Sequence, residues 1–398
     1  MTKNLPFTIF MNTTQIIRNR INSLDTIVKQ TNYYSYDLYD GLTAHWMKSK
    51  NFTKNSLILR IWTQFVNYSP INFRKILRIK PTPHPKILSD FLSAYSQLYL
   101  HNEDNDLLDE IENLSKKILD LKFNTQNGYG WGLGFPVVTR YVVTNEFTPN
   151  SYTTINVIHA FLDAYKASKK ELFLDFAEKG MEFEEKYMGF QDFGDYISWN
   201  YYQGVSSEIF NINGLMLGLC ARMYSLTHKE KYLEWAIKIY HGLKKGQNLD
   251  GSWFYSSDEK GKWIDGFHTG FILEGLCRAC NARIIPNDDV VLVDGVKFYL
   301  SNLFDNSGFP LYYPYKKYPI DAQNCAQTIQ TLFFLVKTNL VKTEKVIKTF
   351  EMIDKSLWNK KGYYNYRKTK FFTYITPMHR WSSGPMYLAL SNLIGILG

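Results

Sequence analysis

The chain has 398 residues, of which 45% are hydrophobic and 16% are aromatic, and it carries a formal net charge of +9. This hydrophobic content is ample for the core of a large soluble helical protein. The sequence contains no apolar run long enough to span a membrane, and its N-terminal segment lacks a signal-peptide core, so we expect a cytoplasmic protein that does not cross the membrane.

The N-terminal segment, residues 1–83, is basic and contains amphipathic stretches at 14–29 and 55–66. We expect these to form helices that pack on the rest of the fold or close it. Residues 1–100 hold 13 of the 46 Lys and Arg residues of the chain but only 4 of its 37 Asp and Glu residues. The rest of the chain has 33 basic and 33 acidic residues, so its charges balance. The basic residues could contact an acidic glycan or membrane-bound biosynthetic machinery, or form only a solvated face. Because no zinc-finger, helix-turn-helix or RNA-recognition signature accompanies the charge, we expect no nucleic-acid partner.

From residue 128 onward, a glycine beside aromatic residues recurs at a nearly constant spacing. These glycines are Gly128, Gly194, Gly251, Gly308 and Gly362, and successive members are 66, 57, 57 and 54 residues apart. A period of about 55 residues has room for two helices and two loops, which predicts an array of helical hairpins.

Each glycine loop precedes a stretch that is apolar on most of its circumference, and a stretch with a lysine-bearing face follows. The first kind predicts an inner helix and the second an outer helix. The predicted pairs are 85–101 with 104–121, 150–167 with 169–187, 206–226 with 228–245, 265–282 with 287–303 and 320–338 with 342–357, followed by a last helix at 379–396. An N-terminal helix would complete a sixth pair. We therefore predict an all-α fold, an (α/α)6 toroid over 84–398 that forms one structural domain with residues 1–83.

Four cysteines, Cys220, Cys277, Cys280 and Cys325, lie in predicted inner helices. They are typical of small buried residues in a reducing compartment. Cys277 and Cys280 form a C-x-x-C pair, but neither a second pair nor a nearby histidine accompanies it in the sequence. We therefore expect neither a metal nor a cofactor.

In a ring of hairpins, the loops that enter the inner helices meet at one end, which we call the mouth. The N-termini of the inner helices point there, and their unpaired N–H groups favour an anionic ligand. Aromatic residues in such loops are typical of carbohydrate sites, although an AT-rich genome also raises aromatic content. The predicted substrate contacts at the mouth are Trp131, Tyr152, Trp199, Tyr202, Glu208, Asn211, Trp253, Trp263, Tyr312, Gln323, His379 and Trp381. Tyr201, Tyr255, Tyr313 and Tyr364 are expected beside them.

The predicted catalytic residues are Asp265, His268, Asp321, Arg380 and Tyr318. Asp265 and His268 lie three residues apart at a predicted helix start, where the acid can orient the imidazole or simply cap the helix. Asp321, shortly after Tyr318, repeats this pattern one hairpin later. Arg380 lies at the start of the last helix, where the helix dipole disfavours a cation. We expect it to hold a substrate carboxylate or to pair with Asp265 or Asp321.

Two reactions fit these residues. In the first, Arg380 neutralises the carboxylate of a uronic acid while His268 or Tyr318 removes the proton on C5, which is lyase or C5-epimerase chemistry. In the second, Asp265 and Asp321 act as acid and base on a glycosidic bond, as in a glycoside hydrolase. A non-catalytic ring that binds a glycan or scaffolds a glycosyltransferase complex is a third interpretation.

Five segments of the sequence resemble a poorly characterised bacterial and archaeal family encoded among surface-polysaccharide biosynthesis genes. The segments are 36–41, 69–74, 247–253, 263–270 and 379–381. The resemblance implies a helical toroid that acts in polysaccharide assembly on an oligo- or polysaccharide or its lipid-linked precursor. More distantly, the ring resembles the C-terminal part of glucuronyl C5-epimerases and the six-hairpin glycosidases, which is a likeness of fold.

A terpene cyclase is the weakest alternative. Residues 247–253 match the Q-x-x-D-G-x-W repeat of triterpene cyclases, and 126–131 is a looser copy. These cyclases need a D-x-D-D acid motif, which this sequence lacks. The zinc-binding Cys and His motifs of lanthipeptide cyclases are also absent from the sequence.

Overall fold

A computed structural model describes residues 7–48, 56–138 and 142–397, and most of these residues are helical. The α-helices, in chain order, are α1 (Phe7–Gln30), α2 (Ser56–Tyr68), α3 (Pro85–Asn102), α4 (Asn105–Asp120), α5 (Ser151–Ser168), α6 (Glu171–Phe183), α7 (Phe210–Thr227), α8 (Glu230–Gly246), α9 (Gly266–Asn281), α10 (Val290–Asn302), α11 (Ala322–Lys337), α12 (Thr343–Leu357) and α13 (Ser383–Leu397). Within the described ranges, no helix combines the length and apolar character that crossing a membrane requires.

Six of these helices form the inner wall of a closed ring. Helices α3, α5, α7, α9, α11 and α13 follow one another around it, and α13 packs against α3 to complete the circle. Helices α4, α6, α8, α10 and α12 each pack on the outside of the inner helix before them, and α1 packs on α13. The predicted (α/α)6 toroid is confirmed, and α1 rather than the stretch at 55–66 supplies the twelfth helix.

The burial patterns of the two rings differ as their sequences predict. In α7, almost every residue from Phe210 to Met223 is buried, because the helix has neighbours on all sides. Its partner α8 buries a single stripe with helical spacing, formed by Tyr232, Ala236, Ile239 and Leu243. Gly214 allows α7 and α9 to approach closely, since a Cβ at this position would lie only 2.6 Å from the Cα of Ile272.

Short antiparallel strands occupy the loops that enter the inner helices. They are β1 (Tyr34–Ser35), β2 (Thr82–Pro83), β3 (Phe123–Thr125), β4 (Gly128–Gly130), β5 (Val137–Val138), β6 (Val143–Thr144), β7 (Phe190–Asp192), β8 (Ile197–Trp199), β9 (Ile320–Asp321), β10 (Trp358–Asn359), β11 (Tyr363–Tyr364), β12 (Arg367–Lys368) and β13 (Thr373–Tyr374). Strand β12 pairs with both β9 and β13, and the others form simple pairs: β1 with β2, β3 with β4, β5 with β6, β7 with β8 and β10 with β11. These loops shape the mouth.

The glycines of the repeat have a backbone role. All five adopt left-handed φ values between +83° and +106°. At Gly128, a Cβ would also lie 2.1 Å from the backbone oxygen of Lys179 in α6. Only glycine satisfies both requirements there without strain.

Three tryptophans beside these glycines hold helices together. The indole N–H of Trp131 donates to the carbonyl of Ile118 at 2.8 Å, and that of Trp253 donates to the carbonyl of Leu243 at 2.8 Å, near the ends of α4 and α8. Trp199 donates to Glu184 at 2.9 Å, and none of the three indoles is more than 1% exposed. We therefore correct the prediction that Trp131, Trp199 and Trp253 contact substrate: they are core residues between neighbouring helices.

The segment that resembles a cyclase motif forms a turn. The amide of Gln247 donates to the carbonyls of Val291 at 2.9 Å and Gly251 at 3.1 Å, and Asp250 accepts from the backbone N–H of Ser252 at 3.0 Å. This turn seats Trp253 in the core. The motif is thus accounted for by the architecture of the hairpin.

Helix α2 lies outside the ring and over the mouth. The indole of Trp62 donates to the carbonyl of Gly41 at 2.9 Å, and the hydroxyl of Tyr366 donates to the carbonyl of Asn67 at 3.3 Å. The first contact ties α2 to the segment before it, and the second ties it to the loop before α13. One side of the mouth is thereby covered by the basic N-terminal segment.

Candidate functional site

Asp265 and His268 form a dyad at the start of α9. Asp265 is the N-cap residue, and its Oδ1 accepts the backbone N–H of His268 at 2.8 Å. Its Oδ2 lies 2.7 Å from Nδ1 of the imidazole and accepts the indole N–H of Trp263 at 3.1 Å. The sequence suggested that Asp265 either caps the helix or orients the imidazole. The same carboxylate does both.

This dyad fixes the chemistry of His268. A carboxylate only accepts hydrogen bonds, so Nδ1 of His268 carries a proton, and in the neutral ring Nε2 holds the lone pair. The imidazole is 22% exposed, whereas the carboxylate of Asp265 is 1% exposed. The ring of Tyr255 stacks on that of Trp263, with centroids 4.5 Å apart, and meets the imidazole of His268 edge to face, with centroids 4.8 Å apart. The two aromatic rings cover one side of the imidazole. His268 is therefore an oriented base that reaches the water-accessible mouth.

Asp321 occupies the equivalent position on α11, but its partners differ. Its Oδ1 accepts the backbone N–H groups of Gln323 at 3.0 Å and Asn324 at 3.3 Å. Its Oδ2 lies 3.4 Å from both Nε and Nη2 of Arg367, a loose ion pair. Burial raises the pKa of Asp321 in spite of the opposing charge of Arg367. This carboxylate is committed to capping and pairing.

Arg367 is less saturated with hydrogen bonds than Arg380. Its Nη1 is buried and has no hydrogen-bond partner within the described part of the chain. The guanidinium lies over the rings of Tyr68 at 5.4 Å and Tyr366 at 5.5 Å. A buried N–H without a partner is unfavourable by about 1–3 kcal/mol, so this group is poised to take an acceptor.

Tyr312 lies near both carboxylates. Burial raises its pKa well above the usual value, and the charges of Asp265 and Asp321 raise it further. Its backbone carbonyl accepts the N–H of Gly266 at 2.8 Å, which holds it against the start of α9. The phenol therefore stays protonated at neutral pH.

Arg380 does not face an open site. Its Nη2 donates to Oδ1 of Asp37 at 2.8 Å and its Nε donates to Oδ2 of the same carboxylate, which also accepts the indole N–H of Trp381 at 3.1 Å. Burial alone would raise the pKa of Asp37, but the charge and hydrogen bonds of Arg380 outweigh it and the pKa is lowered. We therefore correct two predictions: Arg380 pairs with neither Asp265 nor Asp321, and its bidentate partner is Asp37 rather than a substrate carboxylate.

Trp381 and His379 flank this ion pair. Trp381 is half-buried, packs against Tyr39 with ring centroids 5.8 Å apart and remains part of the mouth. His379 is 2% exposed, and burial lowers its pKa to about 4. Its Nδ1 lies 3.0 Å from the hydroxyl of Ser383, so the imidazole is neutral and structural. This burial does not support the predicted substrate contact of His379.

The remaining predicted site residues lie in the cavity, in the loops of the mouth, and in peripheral or buried positions. Tyr152 and Gln323 lie together, with the amide of Gln323 donating to the phenol of Tyr152 at 3.3 Å, and both line the central cavity. The half-buried residues Tyr202 and Tyr318 belong to loops of the mouth. Glu208, whose charge raises the pKa of Tyr196 after burial, lies toward the periphery, and Asn211 is buried with an unpartnered Oδ1.

A cavity of about 360 Å³ follows the axis of the ring from the first turns of the inner helices to their C-terminal ends near Arg278 and Lys337. Neither His268 nor Arg367 lines it. Its upper layer contains Tyr152, Gln323, Lys86 and Asp90, with an ion pair between Lys86 and Asp90. Oδ2 of Asp90 is buried and has no partner in the described ranges. A volume within roughly 300–1,000 Å³ suits a small ligand, and the lining offers several polar groups for hydroxyls.

Sequence reasoning missed Asp37, Lys86, Asp90 and Arg367 as site residues. Lys86 and Asp90 are four residues apart near the start of a predicted inner helix, a spacing that could have indicated a facing pair. Arg367 lies three residues after the aromatic pair of the last glycine loop. No local signal links Asp37 or Arg367 to partners that are far away in the sequence.

No protein-family model matches the sequence, and no curated protein matches it either. Solved structures do match. The ring superposes on cellobiose 2-epimerase from Bacillus thermoamylovorans with a TM-score of 0.62 and 12% identity over 79% of this chain and 87% of that chain. A family 76 α-mannanase from Bacteroides thetaiotaomicron superposes with a TM-score of 0.59 and 14% identity over 79% of this chain and 86% of that chain. A polysaccharide lyase superposes with a TM-score of 0.55 and 11% identity over 78% of this chain and 90% of that chain. At these identities the likeness establishes the fold, an (α/α)6 barrel of the kind shared by carbohydrate epimerases, lyases and glycoside hydrolases.

Proposed function

We propose that this protein is a carbohydrate-active enzyme that moves a proton at a sugar carbon, most concretely C5 of a uronic acid in an acidic glycan. The reaction is epimerisation at C5 or elimination across C4 and C5. The observation that carries the proposal is the dyad of Asp265 and His268. In the neutral ring, it leaves one imidazole nitrogen unprotonated at the mouth and holds it in a fixed orientation.

Each step has a candidate group. Nε2 of His268 takes the C5 proton, and the resulting negative charge spreads onto the sugar carboxylate. Arg367, with its unpartnered Nη1, replaces Arg380 as the group that binds this carboxylate. Tyr312, kept protonated by burial and by two neighbouring carboxylates, returns a proton to C5 for epimerisation or to the leaving oxygen on C4 for elimination.

The same geometry argues against the hydrolase interpretation. A glycosidase of the two-carboxylate kind needs one acid and one base that both face the glycosidic bond. Asp265 accepts from His268 and Trp263, and Asp321 caps α11 and pairs with Arg367. Both carboxylates are therefore occupied by protein donors, which leaves the imidazole as the freest proton-transfer group.

The biological setting is proposed from the sequence resemblance. We place the enzyme in the cytoplasm, in surface-polysaccharide assembly, with a lipid-linked oligosaccharide as a candidate substrate. The fold supports a glycan ligand, since the similar structures include a cellobiose 2-epimerase, a mannanase and a polysaccharide lyase.

The test uses oligosaccharides of glucuronic, galacturonic and mannuronic acid in heavy water. Deuterium at C5 without chain cleavage indicates epimerisation, new ultraviolet absorbance indicates elimination, and new reducing ends without that absorbance indicate hydrolysis. We expect His268→Gln to lower the rate by about 10²–10⁴-fold. His241→Gln changes an exposed histidine on α8 and should leave the rate unchanged.

Three results would contradict the proposal. They are wild-type rates in His268→Gln, reducing ends as the sole product, and glycan binding without any turnover. The last result would favour the non-catalytic interpretation, in which the ring binds or presents a glycan.

A further inference from the structure

The mouth is bordered by a surface that is both apolar and basic, which we call the apolar-basic face. On α2, its outward residues Ile61, Phe65 and Tyr68 are spaced by four and three residues and lie on one side of the helix. Ile76 extends the face along the following loop. The tip between β12 and β13 contributes Phe371. All of these side chains are exposed, and those of Ile76 and Phe371 are 78% and 79% exposed.

Contacts join these segments to α2. The rings of Phe65 in α2 and Phe73 in the loop that carries Ile76 stack with their centroids 6.1 Å apart. The hydroxyl of Tyr374 in β13 donates to the carbonyl of Tyr68 at 2.9 Å, which joins the hairpin to the C-terminal end of α2. Arg367 in β12 lies over the ring of Tyr68 at 5.4 Å. Since Arg367 also pairs with Asp321, the face borders the candidate active site directly.

The two segments that form this face, residues 56–80 and 366–381, carry only positive charges. Residues 56–80 contain five Lys and Arg and residues 366–381 contain four, and neither segment contains an Asp or Glu. Lys75, Arg78, Lys80 and Lys370 are exposed. Arg74 and Arg380 are buried against Asp40 and Asp37, but the exposed cations lie among the apolar side chains.

Exposed aliphatic and aromatic side chains among cations are typical of surfaces that lie on anionic lipid. The apolar groups enter the boundary between headgroups and acyl chains, and each Lys or Arg near the surface adds about 1 kcal/mol. An acidic polysaccharide would satisfy the cations, but it would leave isoleucines such as Ile61 and Ile76 in water. The chemistry of the face therefore favours a bilayer over a soluble polyanion.

We propose that the apolar-basic face docks this protein onto an anionic membrane surface, with the mouth turned toward the lipid. In this orientation, a glycan carried on a lipid would reach His268 without leaving the membrane. The inference concerns membrane binding, which can be measured whether or not the proposed reaction occurs. Its success or failure is thus separate from that of the proposed function.

The experiment is vesicle flotation with the full chain. Vesicles of phosphatidylcholine alone are compared with vesicles that also contain phosphatidylglycerol, at low and high salt. We expect flotation only with the anionic vesicles and a loss of flotation at high salt. Ile61→Ser with Phe371→Ser should reduce binding at least about tenfold, and Lys75→Glu with Lys80→Glu should do the same.

Two matched double variants serve as controls. Leu172→Ser with Val290→Ser removes side chains that are 56% and 58% exposed in the first turns of outer helices, at the end of the ring opposite the mouth. Lys342→Glu with Lys348→Glu makes the same change in net charge at the N-cap and in the second turn of α12. Both controls should float like the wild type, and circular dichroism should show that every variant is folded.

The proposal is overturned if the wild type does not float with anionic vesicles, if neutral vesicles bind it equally, or if the controls lose binding as much as the test variants. Retention on immobilised alginate that the Lys75→Glu and Lys80→Glu changes abolish, without vesicle binding, would identify the face as a glycan surface instead.

Discussion

Asp37 and Arg380 are 343 positions apart in the chain, yet they form a buried, bidentate ion pair beside the mouth, with Nη2 and Oδ1 separated by 2.8 Å. The pair joins the segment after α1 to the segment before α13. It therefore fastens the two ends of the ring to each other.

Breaking this ion pair should strongly destabilise the fold. Asp37→Asn leaves the buried charge of Arg380 without its counter-ion, and we expect the free energy of unfolding to fall by about 3–5 kcal/mol. Urea denaturation measures the loss. Lys297→Gln removes an exposed ion pair with Asp294 and should change the stability by less than about 1 kcal/mol. Equal effects of the two substitutions would refute this assignment.

Glu184 should make stability depend on pH. It is buried against Ser151 and Trp199, and burial raises its pKa from 4.5 to about 8. The folded state therefore holds a proton that the unfolded state releases above pH 4.5. Its stabilising contribution is complete below pH 4.5 and is lost as the pH rises through about 8.

Glu184→Gln isolates this effect, because glutamine is neutral throughout. Relative to this variant, the wild type should lose on the order of 4 kcal/mol of unfolding free energy between acidic pH and pH 8. Urea titrations at several pH values test this. Glu259→Gln, at a side chain that is 84% exposed, should show no such trend. A constant difference between wild type and Glu184→Gln at all pH values would contradict the assignment.

The glycines of the repeat separate two contributions to stability. Gly128 and Gly194 both have positive φ, but a Cβ at Gly128 would clash with the backbone oxygen of Lys179, whereas a Cβ at Gly194 meets nothing within 4 Å. We expect Gly194→Ala to destabilise by about 1–2 kcal/mol from backbone strain alone. Gly128→Ala should destabilise clearly more in the same urea titration, and similar values would show that the close approach to α6 is relieved without penalty.

Arg367 should determine the affinity for a charged sugar. Arg367→Lys keeps the charge but removes the planar pair of donors, so we expect the dissociation constant of a uronate oligosaccharide to rise about tenfold or more. Calorimetry with the uronate and with its neutral methyl ester measures this. Binding of the ester should be weak and insensitive to the change. Equal losses for both ligands would mean that Arg367 does not contact the carboxylate.

Much of the fold followed from periodicity alone. The helix predicted at 85–101 is observed at Pro85–Asn102, and that predicted at 342–357 is observed at Thr343–Leu357. The inner helices are apolar on most sides and the outer helices on one side, and each pattern is visible within the stretch of sequence that forms the helix. The dyad of Asp265 and His268 was also predictable, because three-residue spacing at a helix start places both side chains together.

The remaining site residues depend on long-range geometry. The partner of Arg380 lies at the other end of the chain, and no local pattern identifies it. The tryptophans were misassigned for a different reason. An aromatic residue beside a glycine suits a sugar platform and a hairpin core equally well, and only the burial of Trp131 and Trp253 distinguishes the two.

The packing of α1 on α13 has a consequence for biosynthesis of the chain. Helix α1 finds its inner partner only when α13, the inner helix furthest from it in the sequence, has been translated. Until then, the flank of α1 that α13 covers and the edge of α3 that packs on α13 lack this neighbour, which makes the nascent protein a client for chaperones that shield exposed hydrophobic surface.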